Sequence, residues 1–333
     1  MPTLFVTLDI LFFITSILFL VKATELLINS LNSLSRSSNV EVFALAGFFS
    51  AVSTSIPELF VAASSAVAGK PNLGLGLAIG SNIADITLVT GLVALIGGGI
   101  AVAGDFVKAD VSKAFGAIIL PLIFLIDGRL TRFEGVILLL VFIIYHILVF
   151  NHKAKYHHQI AGSPFAKIGK WLHNLSHRYQ KQQLGWLFFG IIMLLISSQI
   201  LVESGKRIAI DFNMPILILG LIFVAIGTSI PELAFELRAI RQKQTSVVFG
   251  DLLGSLVANS TLVIGVTAII SPINIKLVQN SFTTAILFFL LAFFLYWIFI
   301  KTKLKLQPWE ALILLSIYAI FIASQFGILS LGI

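Results

Sequence analysis

Thr54-Ser55-Ile56-Pro57-Glu58-Leu59 returns, letter for letter, as Thr228-Ser229-Ile230-Pro231-Glu232-Leu233, 174 residues further along the chain. At the same offset, Gly76, Gly80, Ser81, Ala84, Leu88, Val89 and Gly91 recur as Gly250, Gly254, Ser255, Ala258, Leu262, Val263 and Gly265. One ungapped shift that explains a hexapeptide and seven scattered positions marks an internal duplication.

Both copies lie in apolar sequence. Of 333 residues, 58% are hydrophobic and 11% are charged, against roughly 25% charged in a soluble domain. A soluble globular protein is excluded. At about 20 apolar residues per crossing, segments bounded by charge, Pro and Gly fall at 4–28, 40–68, 72–98, 107–126, 132–150, 184–208, 214–240, 246–270, 278–300 and 307–330. The expected fold is an all-α membrane protein of about ten transmembrane helices. Residues 1–150 form one five-helix repeat, 151–183 a polar linker and 184–333 the second repeat. Five is odd, so two copies in series enter the membrane in opposite directions. Inverted repeats of this kind accompany alternating access around a midplane site.

The net charge of +7 bears on orientation rather than on a nucleic-acid partner. If the helices alternate, one side receives Lys70, Arg129, Arg132, Lys206, Arg207 and Lys276, and the other receives the remaining sixteen of 22 basic residues. The positive-inside rule makes the richer side cytoplasmic, with the linker, and puts both termini outside a cell membrane. The N-terminal apolar stretch has no basic region before it and no small-residue cleavage site after it, so it reads as a retained first helix. All six histidines, His146, His152, His157, His158, His173 and His177, lie in or beside the linker. They read as part of a solvated segment lying on anionic lipid rather than as a sensor. With no cysteine, thiolate metal sites, disulfides and a cysteine nucleophile are excluded.

The chemistry lies in the repeated hexapeptide. Pro57 and Pro231 each remove one backbone donor inside an apolar helix, so the carbonyls of Ser53 and Gly227 lose their partners. Thr54, Ser55, Thr228 and Ser229 add hydroxyl oxygens beside the break. Glu58 and Glu232 follow about halfway along their helices, where a charge costs roughly 2.5–3.5 kcal/mol or more. A bound cation or a proton is the natural partner. The third helix of each half contributes Ser81, Asn82 and Asp85, or Ser255 and Asn259. Ser81 and Asp85, like Ser255 and Asn259, are four apart and share a helix face. Gly76, Gly80, Gly250 and Gly254 have the small-xxx-small spacing of close helix approach. Carboxylate, hydroxyl, amide and freed carbonyl oxygens, without sulfur or imidazole, suit Na⁺ or Ca²⁺ rather than zinc or copper.

These motifs resemble the alpha repeats of the calcium/cation antiporter superfamily, especially prokaryotic sodium/calcium exchangers. The resemblance implies exchange of Na⁺ against Ca²⁺ by alternating access, with the first helix of each half moving against the other eight. It implies that Glu58 and Glu232 are the central carboxylates shared by both ions. Thr54, Ser55, Thr228, Ser229, Ser81 and Ser255 would supply side-chain oxygens, and Ala51 and Ala225 would offer main-chain carbonyls to outer Na⁺ positions. Asp85 and Asn259 occupy equivalent third-helix positions, one acidic and one neutral, the reverse of the asymmetry that family members can show. Ser53 stands for the usual glycine, Leu256 for an asparagine, and Leu77 and Asp251 for asparagines after glycine. Asp251 is thus a possible extra acid at the site or a vestibule residue, and Glu236 is expected to pair with Arg238 or a neighbour near the cytoplasmic mouth.

No resident cofactor is expected, since Na⁺ and Ca²⁺ are cargo, and the bilayer is the surrounding partner. A monomer is compatible with this scheme. Up to three negative charges cannot hold Ca²⁺ and a full Na⁺ complement together in a dehydrated site without repulsion, so occupancy is competitive. Rival readings are a proton-coupled or K⁺-dependent Ca²⁺ antiporter, an intramembrane aspartyl protease using Asp85 and Asp251, and a structural scaffold. The protease lacks a symmetric catalytic motif, and a scaffold has no use for matched midplane acids. No enzyme is expected.

Overall fold

The computed structural model describes residues 2–37, 55–101, 104–156, 178–275, 280–303 and 305–326. Ten helices run through them. These are α1 Pro2–Ser37, α2 Ile56–Val67, α3 Pro71–Ile96, α4 Gly104–Phe124, α5 Arg132–Tyr156, α6 Arg178–Asp211, α7 Ile216–Arg241, α8 from Thr245 to Ile270, α9 Asn280–Lys303 and α10 Pro308–Gln325. Eight of them are long and apolar enough to cross a bilayer; α2 is a shorter apolar helix. Each expected crossing meets one helix. The first part of the expected crossing 40–68, with Ala51, Ser53 and Thr54, lies outside the described residues, as does most of the histidine-bearing linker.

Proline sets several helix starts, because its missing N–H falls where a helix has no use for one. Pro71 and Pro308 open α3 and α10, and Pro57 and Pro231 stand in the first turn of a helical segment. Two capping boxes fix the fifth helix of each half. Thr131 and Glu134 exchange hydrogen bonds at the start of α5, as Gln307 and Glu310 do at the start of α10. Reciprocal satisfaction of orphan donors in this way holds a helix end in place.

The two halves are tied by strands that cross between them. β1, Ile100–Ala101, pairs antiparallel with β4, Lys305–Leu306, and β2, Arg129–Leu130, pairs antiparallel with β3, Ile273–Asn274. Ile100 faces Leu306 and Ile273 faces Leu130, and all four are fully buried. Exchanging the repeats turns one pair into the other, as a two-fold relation requires.

Packing divides the ten helices into a pair and a block of eight. α1 and α6, 36 and 34 residues long, lie along each other more extensively than any other two helices. Most of their surface faces outward. A separate apolar cluster, with Phe13 and Leu20 from α1 and Leu194 and Leu201 from α6, seats them on Val61, Leu73, Leu77 and Val224 of the block. The larger core lies within the block. There α3 crosses α7 at backbone contact. A Cβ on Gly76 would stand 2.5 Å from the Leu217 carbonyl oxygen, and one on Gly80 would stand 2.1 Å from that of Leu221. The close approach read from the glycine spacing holds at these two positions. Gly250 instead faces open space, because the tight seam runs along α3 and not at that point of α8.

Candidate cation site

The repeated hexapeptide breaks both helices in the same way. Ser55 has φ −84°, ψ 8° and Ser229 has φ −79°, ψ 0°, so each interrupts helical geometry immediately before Ile-Pro-Glu. Opposite each break, the third helix of the repeat widens into a π-helical segment, Asp85–Val89 in α3 and Ala258–Val263 in α8. π-bulges disturb the regular hydrogen-bond ladder and frequently mark functional sites. Here they begin at or beside Asp85 and Asn259. Thr87 and Thr261 donate to the carbonyls of Ile83 and Val257, matching bonds at the 174-residue offset.

Four broken or bulged segments therefore converge, and the side chains they carry are buried. Glu58 is 0% exposed; Glu232 and Asp85 are each 3% exposed. Ser55, Ser81, Asn82, Thr228, Ser229, Ser255, Asn259 and Ser260 are buried as well. Contacts across the repeats hold the set together. Ser229 Oγ donates to Asp85 Oδ1 at 2.8 Å, Asn82 Nδ2 donates to Ser260 Oγ at 2.8 Å, and the hydroxyls of Ser81 and Thr228 are 3.5 Å apart. Gly227, one residue before Thr228, is pressed by Ile17 of α1, whose Cγ2 would lie 2.8 Å from an added Cβ.

What distinguishes the cluster is its surplus of acceptors. Both carboxylate oxygens of Glu58, Oε2 of Glu232, and the amide oxygens of Asn82 and Asn259 are buried without a hydrogen-bond partner, as is Ser55 Oγ. A buried carboxylate left unsatisfied carries its full desolvation penalty, and the described ion pairs, Lys22–Glu25 and Arg207–Asp9, involve none of these groups. No group of three or more carboxylate or imidazole side chains converges in ligating geometry among the described residues. The donor set is a mixed one of hydroxyl, amide and carboxylate oxygens, which suits a hard cation of flexible coordination.

Glu236 departs from expectation, and Ala225 and Asp251 have defined surroundings. The Ala225 carbonyl accepts from the Ser229 N–H at 3.0 Å at the end of the short turn Ala225–Thr228, and the Thr228 hydroxyl lies 3.1 Å from the Val224 carbonyl oxygen and 3.3 Å from that of Ala225. Glu236 makes no ion pair with Arg238; it is 2% exposed and its Oε2 has no partner. Four residues after Glu232, it shares that residue's inward face, while Arg238 lies well around the helix. Asp251 is 3% exposed, which places it inside the protein rather than in a wet vestibule. Ser260 is a site residue that the repeat comparison passes over, because its counterpart at the 174-residue offset is Ile86.

A duplicated membrane bundle with paired acids and orphaned oxygens at its two helix breaks is a transporter of hard cations by class. The chain belongs to the sodium/calcium exchanger family, whose model, described as sodium/calcium exchanger protein, matches residues 8–151 and 182–327. It is 32% identical over 263 residues to the putative antiporter CaxA of Alkalimonas amylolytica, covering 79% of this chain and 81% of that one. It is 24% identical to the sodium/calcium exchanger MaX1 of Methanosarcina acetivorans, over 97% of this chain and all of the relative. Among solved structures, the sodium-calcium exchanger NCX_Mj soaked with Na⁺ and Sr²⁺ superposes with a TM-score of 0.64 at 25% identity, covering 96% of this chain and 99% of the other.

Proposed function

We propose that this chain is a secondary active antiporter that exchanges Na⁺ for Ca²⁺ across the membrane by alternating access. The observation that carries the reading is the set of unpartnered oxygens on Ser55, Glu58, Asn82, Glu232 and Asn259, buried where both repeats break. Glu58 and Glu232 act as the central carboxylates, available to either ion. Asp85 adds a third negative charge on one side, oriented by Ser229, and Asn259 offers a neutral oxygen at the equivalent place. Ser81, Thr228, Ser229 and Ser255, with Thr54 and Ser55, complete the oxygen shell. The main-chain carbonyls of Ala51 and Ala225 serve the outer Na⁺ positions.

Coupling follows from electrostatics. Two or three buried negative charges are tolerable with Ca²⁺ or with Na⁺ ions present, but not with both sets at once. A loaded site of either kind lowers the cost of passing between inward- and outward-facing states, whereas the bare acids do not, and this difference makes exchange obligatory. The separate seating of α1 and α6 supports their movement as a pair over the eight-helix block. Ile17 on Gly227 places that sliding surface one residue from Thr228.

The two family-model matches flank residues 152–181, which supports two repeats, 1–150 and 184–333, joined by a linker at 151–183. The distribution of basic residues supports a cytoplasmic linker, external termini and a cell-membrane location. The deciding experiment is ⁴⁵Ca²⁺ flux in proteoliposomes with Na⁺, K⁺ and pH gradients imposed one at a time. Uptake driven by the Na⁺ gradient, abolished in Glu58→Gln and Glu232→Gln proteins that remain monodisperse, is the expected result. Uptake driven only by the pH gradient in Na⁺-free buffer would replace Na⁺ by H⁺ as the coupling ion.

A further inference from the structure

A groove of about 760 Å³ runs along the outside of α2, the helix that carries Glu58 on its inner face. Leu59, Phe60 and Ala63 of α2, Ile196 and Ile200 of α6 and Val266 of α8 line it. Its volume is that of a ligand site, roughly 300–1,000 Å³. α6 belongs to the outer pair and α2 and α8 to the block, so the groove straddles the boundary between them. One polar contact crosses the same boundary beside it. The hydroxyls of Ser64, in the groove wall, and Ser198 are 2.8 Å apart, and Ser198 Oγ donates to the Leu195 carbonyl at 3.0 Å.

Length and polarity identify what fits. The groove begins at Leu59, beside the mid-membrane acid, and ends at Val67, the last residue of α2. At 1.5 Å per residue that distance is about 12 Å, close to the ~15 Å of hydrocarbon in one leaflet. Val67, Ile196 and Ile200 are exposed, so the groove opens sideways into the bilayer, where no water is present to fill it. Its polar groups lie towards the Val67 end. Gln199, next to Ser198, lines the groove, is exposed and makes no side-chain hydrogen bond among the described residues. Lys70, three residues past Val67, makes no ion pair among them. The other repeat has no equivalent, because Arg238 and Arg241 stand on α7 where α2 has Ser64 and Val67.

We propose that this groove binds one acyl chain of a membrane phospholipid from the leaflet on the Lys70 side, and that the seated chain is a wedge against movement of α6. The chain lies along Leu59, Phe60 and Ala63. The Gln199 amide donates to an ester carbonyl, and Lys70 faces the phosphate. Apolar wall, amide and free cation follow one another in the order in which a phospholipid presents hydrocarbon, ester and phosphate from mid-membrane outward. A groove formed by two bodies keeps its shape only while they hold their places, so a filled groove favours the arrangement with Ser64 against Ser198.

The test uses full-length protein in phosphatidylcholine nanodiscs containing a trace of phosphatidylcholine with a diazirine in its acyl chain. After irradiation, adducts mapped by mass spectrometry should concentrate in 59–67 and 195–200, at least about fivefold above the outward faces of α5 and α9. Ala63→Phe, which fills the groove, should cut this labelling about tenfold, and Gln199→Leu, an exposed change that leaves the fold intact, about threefold. Labelling spread evenly over the outward helices, or unchanged in both variants, overturns the site. So does a groove left unlabelled because a second copy covers it, seen as dimers by mass photometry. The wedge rests on the antiporter reading, whereas the labelling does not. Ala63→Phe should slow Na⁺-driven ⁴⁵Ca²⁺ uptake about tenfold with equilibrium ⁴⁵Ca²⁺ binding unchanged. An unchanged rate in a variant that has lost the labelling overturns the wedge; a wild type without exchange, yet labelled in the groove, overturns the antiporter reading and supports the lipid site.

Discussion

Ser229 Oγ on α7 donates to Asp85 Oδ1 on α3 at 2.8 Å, so a hydroxyl from the second repeat's helix break orients the one acid that the first repeat's third helix carries. The positions exchanged by the repeat relation hold Asp85 and Asn259, and Ser55 and Ser229. The site has nearly symmetric scaffolding and an asymmetric charge.

That asymmetry can be moved. Asp85→Asn should lower Na⁺-driven ⁴⁵Ca²⁺ uptake at least about tenfold, equivalent to roughly 1.4 kcal/mol. Adding Asn259→Asp to the same protein should recover most of the loss, because the acid then stands across the axis at the same depth. A double variant as inactive as Asp85→Asn alone would show that the two positions are not interchangeable.

Ser229→Ala should be milder than Asp85→Asn. A hydrogen bond to a charged group contributes about 1.5–3 kcal/mol, but the freed Asp85 oxygen can turn to the ion. The expected outcome is a several-fold rise in half-saturating Ca²⁺ with maximal flux retained, measured by concentration series in proteoliposomes. Equal loss of maximal flux would give Ser229 a role beyond orienting Asp85.

The α3–α7 seam should be intolerant of a single methyl group. Gly80→Ala puts carbon 2.1 Å from a backbone oxygen and Gly76→Ala puts it 2.5 Å away, and neither oxygen is the end of a flexible side chain. Overpacking of this kind costs about 1–3 kcal/mol. Both variants should melt several degrees lower in detergent, and Gly250→Ala, in open space, should melt with the wild type. Equal melting of all three would refute the backbone contact.

Sliding of α1 across the block is open to a double-mutant cycle. Gly227→Ala places a methyl group against Ile17, and Ile17→Ala removes what it meets. Exchange should slow in Gly227→Ala and recover in the pair, with a coupling of about 0.5–3 kcal/mol on the rate. Additive effects would mean that the contact does not move during turnover.

Much of this arrangement was legible in the chain itself. Identical hexapeptides reported the duplication, and buried acid beside proline reported the site, since each rests on local chemistry that burial does not alter. Other features depend on what lies opposite. The strand pairs and the second capping box escaped the repeat comparison because the spacing shifts within the connections. Thr131 and Glu134 match Gln307 and Glu310 at 176 residues rather than 174. Glu236 was expected at a mouth with Arg238, yet two residues apart they point to different faces of the helix, whereas the spacing of four puts Glu236 on the face of Glu232. Ser260 has an isoleucine at its matching position and so carried no signal of its own.

The crossing strands constrain how such a chain can be taken apart. A five-helix half alone would expose the unpaired edges of β1 and β2, with Ile100 and Leu130 stripped of their cover, and would hold Asp85 without Ser229. Two identical halves, inserted in opposite senses, would mend each other's edges and assemble the cavity between them. The single polypeptide is in this respect an antiparallel dimer made permanent, and once its halves are joined each is free to diverge from the other.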